Sequence, residues 1–117
     1  MSYVVIVTGE QGVGKTKTIK KMMQNPVIQG KAATHEELID KKQIVQYLTD
    51  DRNGDTVFLE TNRYDEEDIA KMTMREQYER KAKRIVDHHN FVSTVDVSKN
   101  NKDKVCVNVY HYDTLPF

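Results

Sequence analysis

The sequence predicts an α/β domain, on three observations. The apolar run Tyr3-Val4-Val5-Ile6-Val7 has the length of a buried strand, and it gives way at once to a glycine-rich segment and then to a stretch with helical spacing. Thr56-Val57-Phe58-Leu59 repeats the buried-strand signature in mid-chain. Two β-like segments close the chain, residues 91–97 and 105–112. The polar stretch between them, residues 98–104, is too short for a parallel crossover, so the two are expected to pair as an antiparallel hairpin at the sheet edge. A chain of 117 residues is expected to hold a single domain, residues 1–117, with room for about four or five strands and about three helices and none for an added lid or substrate domain.

Each element follows from its local pattern. After the first strand and the glycine-rich loop, a helix is expected over residues 14–25, with Ile19, Met22 and Met23 inward and Pro26 as its stop. Val27 and Ile28 suggest a short strand. Thr34-His35-Glu36-Glu37 reads as a capping box, Thr34 as N-cap and Glu37 reaching back, for a second helix that runs to Thr49 with Leu38, Val45 and Leu48 inward. Residues 50–55 make a polar turn, and the mid-chain strand that follows ends at Glu60, Thr61 and Asn62. Asp65-Glu66-Glu67-Asp68 places carboxylates where they complement a helix dipole. That third helix is expected to continue to His89 along Ala70, Met74, Tyr78, Ala82 and Ile85. At such a length it calls for a kink near Thr73 or an end that projects toward a partner.

Between the first strand and the first helix the chain reads Gly9-Glu10-Gln11-Gly12-Val13-Gly14-Lys15-Thr16, which is G-x-x-x-x-G-K-[ST] with every fixed position filled. A triphosphate tail needs many donors converging on a small volume with no side chains in the way. Gly9, Gly12 and Gly14 allow unusual dihedrals and close backbone approach. The nest of N–H groups and the start of the helix then present partial positive charge. In this arrangement Gly9, Gln11, Gly12, Val13, Gly14, Lys15, Thr16 and Lys17 form the candidate nucleotide site. Lys15 reaches the β- and γ-phosphates, and the Thr16 hydroxyl ligates Mg²⁺. These first residues resemble the start of the P-loop NTPase superfamily. The resemblance implies a mostly parallel, three-layered α/β P-loop fold and Lys15 and Thr16 as the nucleotide and Mg²⁺ contacts.

A site of this kind also needs an acidic residue at the end of a neighbouring buried strand. Glu60, after Val57-Phe58-Leu59, is the candidate Walker-B-like carboxylate, either holding a Mg²⁺-bound water or polarising an attacking one. The Asp that more often takes the metal side is absent. Arg63, just beyond that strand, is the cation placed to meet charge on a transferred phosphoryl group, whereas Arg75, Arg80 and Arg84 also fit a solvated, ion-paired helix. Asp51-Arg52-Asn53-Gly54 and Asn101-Lys102-Asp103 come near to guanine-nucleotide motifs, but neither stands where that chemistry needs it. Both read as polar turns, and ATP is favoured over GTP. The adjacent His88 and His89 diverge on a helix, and with His111 they make no metal set.

Composition narrows the classes further. Eighteen basic residues balance eighteen acidic ones, so no whole-protein field draws in nucleic acid or an anionic membrane. No apolar run approaches the length of a membrane span, and the first strand leaves no room for a signal peptide, so a soluble, cytoplasmic protein is expected. Cys106 has no second cysteine to pair with, and alternation with valines suggests core or near-core packing. Three functions remain open. One is a small ATPase or ATP-dependent switch acting in an assembly, as a homo-oligomer or with a protein partner. Another is a phosphotransferase of the nucleotide- or small-metabolite-kinase kind, its acceptor held by residues 30–40. The last is a non-catalytic nucleotide-binding adaptor.

Overall fold

A computed structural model of the chain describes residues 3–24, 33–37, 40–49, 56–83 and 91–112. Within them the elements run β1 (Tyr3–Thr8), α1 (Lys15–Met23), β2 (Ala33–Glu37), α2 (Lys41–Thr49), β3 (Thr56–Thr61), α3 (Glu66–Ala82), β4 (Phe91–Lys99) and β5 (Val105–Tyr112). The strands form one sheet in the order β2-β3-β1-β4-β5. β1 lies between β3 and β4 and is parallel to both, β2 is parallel to β3, and β5 closes the edge antiparallel to β4. The α/β class, the mostly parallel sheet and the antiparallel C-terminal hairpin are as the sequence predicts.

Chain direction and handedness decide where the helices go. The β1-to-β2 connection passes β3 in one direction, while the β2-to-β3 and β3-to-β4 connections return the other way. With right-handed crossovers, α1 therefore covers one face and α2 and α3 the opposite face. The core divides accordingly. Ile19 of α1 packs with Val7, Phe58, Val95 and Val97, with Met22 and Met23 half-buried around them. Ile44 of α2 and Ile69 of α3 pack with Val4, Ile6, Val57, Leu59 and Val92 on the other side. Strand alternation explains the split, since successive residues of β1 and β3 feed opposite clusters. Burial of a side chain the size of Phe58 contributes about 1.5–3 kcal/mol.

Three expectations are corrected. Thr34 does not cap a helix: Ala33–Glu37 is strand β2, in register with Thr56 to Glu60 of β3. The box lies further on, where the Asp40 N–H donates to Gln43 Oε1 at 3.1 Å and the Gln43 N–H to Asp40 Oδ1 at 3.0 Å. Asp-x-x-Gln satisfies the same orphan donors as Thr-x-x-Glu, and the free edge of β3 claims the earlier segment. Ile44 of α2 is fully buried, and Val45 is half-buried.

The second correction is the phase of α3. Ile69, Thr73 and Gln77 are buried, whereas Met74 and Tyr78 are 64% and 70% exposed. The true inner stripe is displaced by one position, about 100° around the helix. Asp65 and Asp68 fix the phase through a reciprocal pair, Asp65 N–H to Asp68 Oδ2 at 3.2 Å and Asp68 N–H to Asp65 Oδ1 at 2.9 Å. The helix runs unbroken through Thr73, whose hydroxyl donates to the Ile69 carbonyl at 2.9 Å, and so satisfies a polar group inside the core.

The third concerns β5. The valines that alternate with Cys106 do not extend the core: Val105, Val107 and Val109 are 51%, 45% and 53% exposed, and Cys106 is half-buried. They share a face with Val95 and Val97 through the β4–β5 register, yet unlike those two they are not among the buried residues packed with Ile19 of α1. Several expectations lie outside what is described: the strand at Val27 and Ile28, the stop at Pro26, the inward side chains of Leu38 and Leu48, the polar turn at residues 50–55, and the continuation of α3 through Arg84 and Ile85 to His89. No helix among the described residues is long and apolar enough to cross a membrane.

Candidate functional site

Parallel strands in register bring their carboxyl ends to one edge of the sheet. Thr8 of β1 lies opposite Thr61 of β3 and Asp96 of β4, and Glu37 of β2 lies opposite Glu60 of β3. The glycine-rich loop starts at this edge, immediately after β1. Gly9 has φ +146°, and a Cβ there would sit 2.3 Å from the Val97 carbonyl oxygen, so only glycine lets the loop leave β1 against β4. Gly12 and Gly14 have φ +87° and +102°, both in the left-handed region. The three dihedrals together turn the chain over the sheet edge and into α1.

The start of α1 is unlike that of the other helices. No side chain caps it, and its first turn holds no acidic residue. By contrast, α3 opens with Glu66, Glu67 and Asp68. The uncapped N–H groups and the positive end of the α1 dipole therefore face the loop with no carboxylate from the helix's own first turn.

Lys15 is 6% exposed. Its ammonium folds back across the loop and donates to the carbonyl oxygens of Gly9, at 2.7 Å, and Glu10, at 2.8 Å. Burying a lysine is costly unless its charge is paired, and its partners here are two neutral carbonyls. The neighbouring Thr16 hydroxyl meets both carboxylate oxygens of Glu60 at 3.0 Å and donates its hydrogen to that pair. Two residues singled out separately, on different elements, thus meet at one point.

A cleft of about 640 Å³ opens on the α1 side of this edge. Gln11, Gly12, Val13, Gly14, Lys15, Thr16 and Lys17 line it, together with Glu60. Gly9 faces a second cleft of about 670 Å³, which shares Gln11, Gly12 and Val13 as a common wall. Arg63 lines this second cleft and not the first, so the structure does not gather it with Lys15, Thr16 and Glu60. Its backbone N–H donates to Thr61 Oγ1 at 3.1 Å.

Sequence reasoning missed several residues of the first cleft. Glu37 and Asn62 line it on one side, and Lys99, Asp103 and Val105 of the β4–β5 hairpin on the other. The local pattern around Glu37 reads as a helix cap. From sequence the hairpin residues read as a polar turn at the sheet edge. That turn is held by Asn100, whose side-chain oxygen accepts from the N–H groups of Lys102 and Lys104 at 2.9 and 3.0 Å. Asp103 takes φ +58° within it. The register of β4 against β1 carries the hairpin to the loop, a long-range pairing that local pattern does not encode. Asp96, also missed, lines the second cleft and accepts from the Thr8 hydroxyl at 3.2 Å.

Among the described residues no three His, Cys, Asp or Glu side chains gather to hold a metal ion. Comparison of the chain with protein-family models, with curated proteins and with solved structures gives no match.

Proposed function

We propose that this chain is a P-loop protein that binds Mg–ATP through the loop from Gly9 to Thr16, as a small ATPase or ATP-dependent switch working in an assembly. The observation that carries the reading is the buried ammonium of Lys15, held on the carbonyls of its own loop at the uncapped start of α1. A phosphate chain would supply the anionic partner that this ammonium and the adjoining N–H groups call for. The cleft of about 640 Å³ is of a size that takes a nucleotide.

The donor set suits Mg²⁺. That ion keeps several waters and takes few protein ligands beside substrate phosphates, and a hydroxyl and a carboxylate, Thr16 and Glu60, already meet here. Bound there, it would neutralise charge on the phosphate oxygens. The remaining work falls to the chain itself. Lys15 would orient the terminal phosphates and meet the charge that builds on them, while Glu60 would fix the Thr16 hydroxyl. ATP is preferred to GTP because the polar turn at Asn101-Lys102-Asp103 lacks the spacing of a guanine-reading motif. No arginine lines the first cleft among the described residues, so a finger in trans from an assembly would supply the guanidinium, an effect worth about 10³- to 10⁵-fold in turnover.

Thermal melting tests the reading. At about 100 times its dissociation constant, Mg–ATP is expected to add about 2.7 kcal/mol and to raise the melting temperature by several degrees. Lys15→Ala is expected to melt near the wild type without ligand and to lose the shift. An equal shift in both proteins would place the nucleotide elsewhere.

A further inference from the structure

We infer that Glu37 is the base that activates the attacking water, with Glu60 confined to the metal side. The inference rests on the Mg–ATP reading and deepens it by dividing two roles that the sequence left on one residue.

The division follows from register. Glu37 and Glu60 are partners in the parallel ladder between β2 and β3. Such partners stand on the same face of a sheet, on strands about 4.8 Å apart. Glu60 has the parity of Phe58, which packs under α1, and its carboxylate meets Thr16 of that helix. Glu37 therefore rises on the same face from the next strand end, and both carboxylates line the cleft that holds Lys15 and Thr16.

Their surroundings differ. Glu60 is half-buried, and both of its oxygens face the Thr16 hydroxyl at 3.0 Å. A carboxylate engaged in this way is placed to hold the hydroxyl or a metal-bound water, not to take a proton from a mobile one. Glu37 is exposed at the side of the same cleft, and among the described residues no hydrogen bond or ion pair occupies its carboxylate. A general base needs a free oxygen open to water on the wall of the reacting cleft, and of the two carboxylates Glu37 offers it.

In the step assigned to it, the water oxygen bonds to the γ-phosphorus while the bond from that phosphorus to the β–γ bridging oxygen breaks. The bonding pair leaves with ADP. The water proton passes to the Glu37 carboxylate and from there to solvent, so the products are ADP, inorganic phosphate and a proton. Lys15 faces the charge on the transferred group.

The test uses the full chain and its Glu37→Gln and Glu60→Gln variants, with phosphate release and the Mg–ATP melting shift measured on each. Glu37→Gln is expected to keep the melting shift and to lose phosphate release by about 10²- to 10⁴-fold, the usual worth of a positioned base. Glu60→Gln is expected to need more Mg²⁺ for the same shift. Phosphate release by Glu37→Gln at the wild-type rate overturns the inference, and so does a wild-type protein that binds Mg–ATP and releases no phosphate. Both of those outcomes leave the binding reading standing. A wild-type protein with no Mg–ATP shift overturns the two together.

Discussion

Gly9 and Gly12 separate two reasons for a glycine. Gly12 meets nothing within 4 Å of a built Cβ, so its requirement is conformational alone. Gly9 adds a backbone oxygen 2.3 Å away, which cannot move without displacing β4. Gly12→Ala is therefore expected to cost about 1 kcal/mol in chemical denaturation, and Gly9→Ala clearly more, of the order of 3 kcal/mol. Equal costs would mean that the loop leaves β1 along another path. At this scale the sequence was most legible where one local motif holds all the information. The loop, Lys15, Thr16 and their offsets could be read directly, and Glu60 followed from one strand end. Glu37 could not be read this way. Its place beside Glu60 depends on the pairing of two strands separated by a whole helix, and its own neighbourhood, Thr34-His35-Glu36-Glu37, imitates a helix cap.

Among the elements, the apolar strands β1 and β3 are more legible than helix faces, whereas Ala33–Glu37, strand β2, has the local pattern of a helix cap. β1 and β3 are short apolar runs whose burial on both faces leaves no phase to choose. α3 offers two stripes of similar apolarity, and the more apolar one, Met74 and Tyr78, faces solvent. The phase comes from the Asp65–Asp68 cap and from Ile69 seated in the core. Ile69→Ala is accordingly expected to lose about 2–5 kcal/mol in denaturant unfolding, and Tyr78→Ser to stay within about 0.5 kcal/mol of the wild type. The reverse ranking would restore the stripe predicted from periodicity. The exposed ion pair between Arg75 and Glu79, at 3.2 Å, belongs to the solvated face and adds about 0.3–0.5 kcal/mol.

For the whole molecule, the hairpin was legible because a short loop permits only antiparallel pairing, whereas the order β2-β3-β1-β4-β5 was not. Order is fixed by which strands bury each other best and by the handedness of crossovers, neither of which is a local property. It is the order that makes the site. Placing β1 between β3 and β4 sets the loop between Glu60 on one side and the hairpin on the other. The exposed valines of β5 follow from the same arrangement, since the cluster around Ile19 of α1 ends at Val95 and Val97 of β4. The central claim, that this junction binds a nucleotide triphosphate, is tested most directly by titration calorimetry of Mg–ATP against the wild-type chain and Lys15→Ala. Saturable one-site binding that requires Mg²⁺ is expected, weakened about 10²-fold in the variant, as loss of a charge-assisted phosphate contact entails. Equal affinity in the two proteins, or no binding to the wild type, would contradict it.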